Sequence, residues 1–261
     1  GGHTDRRALM VLVPLFRDLR DRLAVTHGYA ARGIHPRIGA AGGLGTPASV
    51  HAAFALGADY VLTGSINQST VEAGTSDRVK TMLAEATMAD VAQGPAPDMF
   101  ELGAQVQVLS RGTMYAQRAR RLYEVYREYD GLDDIPDALR AKLERSTLGR
   151  PIAEIWTETE AFWQEREPAR ADRARQDPKL KMALVFRWYL GMSSRWARTG
   201  EAGRARDYQI WCGPSMGAFN AWAAGGPLEQ PQARRVADIA WALLTGAALL
   251  EREAVAVRLG V

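Results

Sequence analysis

Short apolar runs and helically spaced apolar positions alternate in the first third of the chain. Residues 9–23 place leucines and a phenylalanine on one face, which predicts an amphipathic helix. Residues 37–41 and 59–63 are short apolar runs that predict buried strands. Between them, Thr46 suits a helix cap and Pro47 a first helical position, so we predict a helix from there to residue 56. A strand, a helix and a strand joined by short loops predict a parallel βαβ unit.

The rest of the pattern is mostly helical. A strand is predicted only at residues 105–109, where polar and apolar positions alternate. Prolines at 95 and 97 break the pattern and separate the two parts. We therefore predict an α/β fold with two domains, residues 1–95 and 96–261. Helices are predicted at residues 77–90, 113–129, 137–146, 151–167, 178–190 and 232–253.

The number of strands limits which α/β fold the chain can form by itself. A complete eight-stranded βα barrel takes about 250 residues and eight βα units. Two clear strands are predicted in the first third of this chain and almost none afterwards. If the chain belongs to such a barrel, we expect it to be the C-terminal portion of a TIM barrel followed by a helical subdomain. Most of the barrel would then precede Gly1, and the chain would be a piece of a longer protein.

Composition narrows the class of protein. Lys and Arg number 33 against 30 Asp and Glu, an excess too small to indicate nucleic acid binding without a dense basic run. The single cysteine, Cys212, cannot form an internal disulfide, which fits a reducing compartment, and its simplest role is that of a small buried apolar residue. The apolar run at residues 239–250 is too short to span a bilayer. We expect a cytoplasmic protein that binds neither nucleic acid nor membrane.

The most informative segment is a glycine-rich loop after the first predicted strand. Residues 39–47 read Gly-Ala-Ala-Gly-Gly-Leu-Gly-Thr-Pro. Glycines let the backbone approach a ligand, and N–H groups at a helix start attract anions, although a tight turn that binds nothing explains this loop equally well by itself. The second strand leads into Gly64 and Ser65, which repeat this chemistry. Paired βα loops of this kind bind phosphate in many barrels, so we predict a phosphate-bearing ligand here.

The same loop also matches the dinucleotide-binding pattern G-x-G-x-x-A at residues 43–48. That pattern requires an acidic residue at the end of the following strand, where it holds a ribose hydroxyl. The following strand ends in Leu62-Thr63-Gly64-Ser65, and Asp59 stands at its beginning. We therefore reject a Rossmann fold.

A family resemblance runs along nearly the whole chain. The loops at residues 39–47 and 57–65 resemble the FMN-phosphate loops of the nitronate monooxygenase superfamily, and Gly2-His3 resembles that superfamily's Gly-Gly-His segment near the flavin. Three further segments are similar to the PfaD group, the enoyl reductases of polyunsaturated fatty acid and trans-acyltransferase polyketide synthases. They are Val-Glu-Ala-Gly-Thr-Ser (71–76), Gln-Val-Leu-Ser-Arg-Gly-Thr-Met (107–114) and Asp-Tyr-Gln-Ile-Trp-Cys-Gly-Pro-Ser-Met-Gly-Ala-Phe-Asn (207–220).

The resemblance implies an FMN-binding barrel and a set of site residues. His3 is the implied catalytic residue, since histidine is suited to proton transfer near neutral pH, although a histidine near a chain end is usually just solvated. The other histidines lack the spacing of a metal site, so we expect none. The implied cofactor-binding residues are Ala41, Gly42, Gly43, Leu44, Gly64 and Ser65.

The resemblance implies an FMN-dependent enoyl reductase that takes hydride from NADPH or NADH. It would act in trans on enoyl thioesters carried by acyl carrier protein in polyketide or polyunsaturated fatty acid synthesis. A nitronate monooxygenase-like flavin oxygenase and a non-catalytic carrier-protein docking fragment stay open as alternatives, and so does a homodimer. Residues 195–207 carry four arginines, which form either a solvated loop or a dock for an acidic carrier protein.

Overall fold

A computed structural model describes residues 7–260 of the chain. The chain divides into two compact units: Gly1–Val91 together with Trp211–Val261, and Ala92–Ile210. The strands are β1 (Gly39–Ala41), β2 (Tyr60–Leu62), β3 (Val91–Pro95) and β4 (Gln105–Leu109). The helices are α1 (Leu9–Thr26), α2 (Pro47–Ala55), α3 (Asp77–Ala84), α4 (Tyr115–Glu128), α5 (Asp137–Leu143), α6 (Ile152–Arg166), α7 (Pro168–Gln176), α8 (Pro178–Thr199), α9 (Ser215–Ala223) and α10 (Val236–Leu259).

The first unit is built around the predicted parallel βαβ element, which the structure confirms. β1 pairs with β2 in parallel, with Ala40 opposite Val61 and Ala41 opposite Leu62. α2 connects them, and it begins where Thr46 caps it by accepting a hydrogen bond from the Ser49 amide at 3.2 Å. Apolar burial joins the three elements to α1. The core cluster consists of Val13, Ala40, Leu44, Ala53 and Ala58.

Helix α1 confirms the predicted periodicity, but the predicted apolar face is not buried. Val13 is the residue of α1 that is buried, at 3% exposure. Leu15 and Phe16 are 57% and 50% exposed, and Leu19 and Leu23 are exposed as well. Spacing therefore predicted the helix correctly, whereas the side of the helix that meets the core of this unit is a property of the packing.

Several other elements differ from the predicted bounds, and for α3 a local turn gives the reason. α3 ends at Ala84 rather than residue 90, because Asp90 Oδ2 accepts bonds from the Thr87 amide and hydroxyl, both at 2.8 Å, in a turn. The strand β3 (Val91–Pro95) ends at the first proline of the predicted break, and neither this strand nor its pairing with β4 was predicted. α8 runs on to Thr199 and ends at Gly200 with φ 74°. The short helices α7 and α9 were not predicted at all.

Residues 211–261 belong to the first unit, although the linear pattern assigned them to the helical part. Close backbone contacts at glycines hold them there. A Cβ on Gly217 of α9 would lie 2.1 Å from the Met88 amide nitrogen, and a Cβ on Gly246 of α10 would lie 2.7 Å from the Pro47 ring. The predicted domain boundary was at residue 95, and in the structure the chain leaves the first unit and enters the second between residues 91 and 92. That residues 1–95 end an FMN-binding barrel stays a prediction.

The second unit has its own core and a buried charged network. Asp207 is 3% exposed and forms an ion pair with Arg118. Tyr189 donates a hydrogen bond to Asp207 Oδ1 at 2.8 Å, and Arg204 contacts Oδ2 at 3.3 Å. Two cations and a hydroxyl thus compensate the buried carboxylate, as burial of a charge requires. Among the described residues, no helix combines the length and the apolar character that crossing a bilayer requires.

We expect Gly217→Ala to destabilise the first unit by about 1–3 kcal/mol, the usual cost of overpacking, because its Cβ would meet the backbone of residues 87 and 88. Urea denaturation would measure the loss. Gly191→Ala is the matched control: Gly191 lies inside α8 with nothing within 4 Å of an added Cβ. Alanine there should stabilise the helix by up to about 1 kcal/mol. Equal stabilities for the two variants would contradict the close packing of α9.

Candidate functional site

The candidate site lies where β1 and β2 end. Ala41 and Leu62 are paired in the parallel register, and neighbouring strands lie about 4.8 Å apart. Loop 1 (residues 42–46) and loop 2 (residues 63–69) therefore leave the sheet at the same edge. The structure thus brings the six predicted cofactor-binding residues, 41–44 and 64–65, to one edge of this sheet.

Loop 1 combines a turn that favours glycine with backbone amides that have no partner. Gly42 and Gly43 have φ angles of 93° and 73°, in the left-handed region. The amides of Gly45 and Thr46 both donate to Ser49 Oγ at 3.1 Å, so the helix cap already uses them. Within the described part of the chain, the amides of Gly43 and Leu44 make no hydrogen bond. The Gly43 N–H, which belongs to an exposed residue, can therefore donate to a ligand oxygen, while the unpaired Leu44 N–H belongs to a residue that is only 4% exposed.

Space is also open in front of loop 1. A Cβ built on Gly43 meets no atom of the described structure within 4 Å, and Gly43 is exposed. Unpaired amides beside open space, just before the start of a helix, are typical of an anion-binding arrangement. The fit to a phosphate group rests on these two observations.

Loop 2 has a different internal structure. Residues Ser65–Ser69 form a short 3₁₀ helix, and Asn67 fixes its start by donating to the Thr63 carbonyl at 3.2 Å. Gly64 is exposed, whereas Ser65 is fully buried. The Ser65 hydroxyl oxygen accepts a hydrogen bond from the Gly213 amide at 2.8 Å. Of these two residues, Gly64 therefore exposes its backbone at the shared edge, while Ser65 is enclosed behind it.

The 211–215 segment (Trp-Cys-Gly-Pro-Ser) contacts both loops. Gln68 of loop 2 donates to the Trp211 carbonyl at 2.7 Å, in addition to the bond between Gly213 and Ser65. A Cβ on Gly45 of loop 1 would lie 2.5 Å from the Ser215 carbonyl oxygen. The sequence analysis named residues 207–220 for their similarity to the PfaD group but did not predict this contact. The available signal was the set of small residues at 212, 213, 215 and 217, which permit close backbone approach.

Cys212 lies inside this segment and is fully buried, which confirms its interpretation as a small buried apolar residue. Burial raises the pKa of its thiol to about 12. The thiolate, which is the reactive form, is therefore scarce near neutral pH.

We expect the native protein to resist alkylation at Cys212, because its thiol is both buried and protonated. Mass spectrometry after iodoacetamide treatment at about pH 8 should show no adduct at Cys212 in the folded protein and complete modification in urea. Rapid modification of folded protein at that pH would show that the segment opens readily.

The structure places the other residues considered in the sequence analysis away from this edge or does not describe them. His3 lies outside the described residues. Asp59, at the start of β2, accepts bonds from the Ile38 amide and Arg20 at 2.8 and 3.0 Å, so it holds the strand entrance far from the ends where the loops begin. This agrees with rejecting a Rossmann fold. Over residues 7–260, no group of three or more His, Cys, Asp or Glu residues is placed to hold a metal ion.

The arginines between residues 195 and 207 divide into two groups. Arg204 belongs to the buried network: it contacts Asp207, donates to the Leu148 carbonyl at 2.8 Å and lies over the Trp196 ring. Arg195 and Arg198 are exposed on α8, and Arg206, which lies outside that helix, is exposed as well. Only the exposed group is available to a partner.

Comparison with known proteins shows which proteins the chain is similar to. Residues 129–208 match the family of the inserted helical domain of acyl-carrier-protein S-malonyltransferase. The chain is 47% identical over 253 residues to the polyketide biosynthesis protein ThaF of Burkholderia thailandensis, covering 97% of this chain and 21% of ThaF. It is 44% identical over 253 residues to the polyketide biosynthesis protein PksE of Bacillus subtilis, covering 97% of this chain and 32% of PksE. A polyunsaturated fatty acid synthase component of a Thraustochytrium species is 42% identical over 257 residues, which cover 97% of this chain and 17% of that component.

A solved structure is similar over the same length. The enoyl reductase domain of MlnA, from the macrolactin biosynthesis cluster of Bacillus amyloliquefaciens, superimposes with a TM-score of 0.91 at 39% identity, covering 97% of this chain and 56% of that chain. The chain is a PfaD-type enoyl reductase-like region. This confirms the recognised resemblance. FabK from Thermotoga maritima shares the fold at a TM-score of 0.51 and 17% identity, over all of this chain and 54% of that one.

The PfaD-type region spans only part of these relatives. It corresponds to about a fifth of ThaF and just over half of the MlnA enoyl reductase domain. Its architecture is mostly helical α/β with few strands, and the relatives that it matches are named as polyketide biosynthesis proteins and polyunsaturated fatty acid synthase components.

Proposed function

We propose that the protein is an FMN-dependent enoyl reductase that acts in trans on enoyl thioesters carried by acyl carrier protein. The observation that carries the proposal is the likeness to the MlnA enoyl reductase domain over 97% of the chain. The paired loops support it, because they present unbonded amides at the edge where a cofactor phosphate would be held. Polyketide or polyunsaturated fatty acid synthesis is the setting in which the relatives' names place them.

We propose, further, that the first unit is the C-terminal portion of a TIM barrel. A parallel sheet normally has both faces covered, yet Tyr60 and Leu62 of β2 are 44% and 58% exposed. The exposed apolar residues of α1 add to this surface. Further strands and helices of a longer protein would bury both, in keeping with the greater length of the relatives. The predicted helical subdomain, residues 96–261, would then be limited to the second unit, Ala92–Ile210.

FMN fits the site through its phosphate. The amides of Gly43 and Leu44 would hold it from one side, and the backbone of Gly64 and Ser65 from the other, with Ala41 and Gly42 shaping the approach. When bound, FMN supplies hydride transfer from NADPH or NADH to the enoyl double bond. His3 is our proposed proton donor or carbonyl-orienting residue, since a proton must reach the α-carbon of the substrate.

Carrier protein recognition is proposed for the exposed arginines of the second unit. Arg195 and Arg198 are three residues apart on α8, so both side chains lie on one face. Acyl carrier proteins are acidic, and exposed cations of this kind steer an acidic partner. The match of residues 129–208 to a helical domain of an acyl-carrier-protein transferase supports this assignment.

Replacing Gly43 by Asp tests the phosphate site. The added carboxylate would repel phosphate beside the two free amides, while its Cβ meets no neighbour within 4 Å. We expect the full-length protein to fold but to lose nearly all bound FMN, measured by the visible absorbance of the flavin. Gly33→Asp is the matched control, since Gly33 also has positive φ and open surroundings. Normal flavin content in the Gly43 variant would rule out this site.

Reversing Arg195 and Arg198 to Glu tests carrier docking. We expect KM for a carrier-bound enoyl substrate to rise about tenfold at low salt, and less at high salt, because exposed charges are screened. KM for a small carrier-free enoyl thioester should not change. Lys142→Glu with Arg145→Glu makes the same charge change at two other positions of the same unit. An equal rise in KM for that control would contradict a localised dock.

The same preparations separate the alternatives. A nitronate monooxygenase-like oxygenase would consume oxygen with a nitronate and fail to couple NADPH oxidation to an enoyl thioester. A non-catalytic docking fragment would bind carrier protein without binding flavin. An enoyl reductase requires bound flavin and NAD(P)H-dependent reduction together.

A further inference from the structure

The 211–215 segment lies against both loops of the proposed FMN-phosphate site without belonging to either. Resting on the proposed function, we infer that this segment positions the two loops and so determines the affinity for the cofactor phosphate. In this arrangement the Ser65 side chain is a positioning group, and it does not contact the phosphate. Gln68 and Gly45 have the same kind of role.

The contacts with loop 2 are two hydrogen bonds, one of them fully buried and the other partly buried. Ser65 is 0% exposed and Gly213 is buried, and the bond between them is 2.8 Å long. Because the Ser65 oxygen accepts from Gly213, its side chain is directed to the 211–215 segment. The Gln68 side chain reaches the same segment at Trp211. A 3₁₀ helix of five residues has only a few weak internal hydrogen bonds. The two bonds to the 211–215 segment therefore hold loop 2 in place more firmly.

The contact with loop 1 is steric. Gly45 is buried, and its α-carbon faces the carbonyl oxygen of Ser215 so closely that a Cβ would lie 2.5 Å from it. Gly45 directly follows Leu44, whose free amide belongs to the proposed phosphate site. A shift of Ser215 would therefore be transmitted to the amides of loop 1.

The segment itself is held from behind. α9 begins at Ser215, and Asn220 on this helix donates to the carbonyl oxygens of Leu83 and Ala86, both at 2.8 Å. Gly217 packs on the backbone of residues 87 and 88. α9 is thus fixed to the end of α3, which gives the 211–215 segment a rigid support within the first unit. Residues more than 140 positions away in sequence therefore shape the loops.

Ser65→Ala and Gln68→Leu test the positioning role in the full-length protein. Each removes one bond to the segment and leaves every backbone amide of the loops in place. We expect faster hydrogen exchange of the loop 2 amides in the apo protein. The Kd for FMN, measured by flavin fluorescence quenching, should rise about tenfold in each variant, which corresponds to one lost hydrogen bond.

Ser69→Ala is the matched control. Ser69 is also fully buried, stands in the same 3₁₀ helix, and bonds to the Ile66 carbonyl and to Arg234 instead of to the segment. This variant should lose stability but keep the wild-type Kd for FMN when measured well below its melting temperature. A rise in Kd equal to that of Ser65→Ala would overturn the inference in favour of general destabilisation.

The other outcomes separate this inference from the proposed function. If Ser65→Ala alone weakens FMN binding and Gln68→Leu binds normally, the Ser65 hydroxyl is a direct phosphate ligand and the positioning role is wrong. If Gly43→Asp abolishes FMN binding while both variants bind as wild type, the site stands and the inference fails. If Gly43→Asp retains FMN, the phosphate site itself fails, and this inference with it.

Discussion

Parallel pairing of β1 with β2 is the constraint on which the candidate site depends. Parallel strands end at the same edge of a sheet, so the loops that follow them are neighbours although α2 separates them in sequence. The cap on α2 then decides which amides of loop 1 are left. Ser49 takes those of Gly45 and Thr46, and Gly43 and Leu44 remain unbonded within the described structure. The edge proposed to bind phosphate is thus built by two strands of three residues each and one serine.

A second constraint on the first unit is close packing of the backbone, which only glycine permits at three positions. Gly45, Gly217 and Gly246 all stand where a Cβ would overlap another part of the chain. Through these contacts α9 and α10 pack against α2, α3 and loop 1, which returns the end of the chain to the unit in which it began. Residues 207–220, one of the segments that resemble the PfaD group, include the start of this return and contact both loops.

The main constraint in the second unit is the buried carboxylate of Asp207. Asp207 is compensated by Arg118, Arg204 and Tyr189, which come from three separate elements. This network explains why a basic stretch of sequence is only partly available to a partner. Arg204 serves the fold, while Arg195 and Arg198 stay exposed on α8. Function in this unit is therefore proposed only for the charges that the network leaves free.

The sequence by itself determined the local elements and the chemistry of the loops. Thr46-Pro47, the glycines at 42–43 and the apolar runs specified β1, α2 and β2, because caps, positive φ angles and periodicity act over a few residues. The tertiary structure alone decided which face of α1 is buried, that Ser65 bonds to Gly213, and that residues 211–261 join the first unit. These features depend on contacts between residues far apart in the chain. Many of these contacts are made by backbone amides and by the backbone of glycines, and such contacts leave no periodic pattern in the sequence.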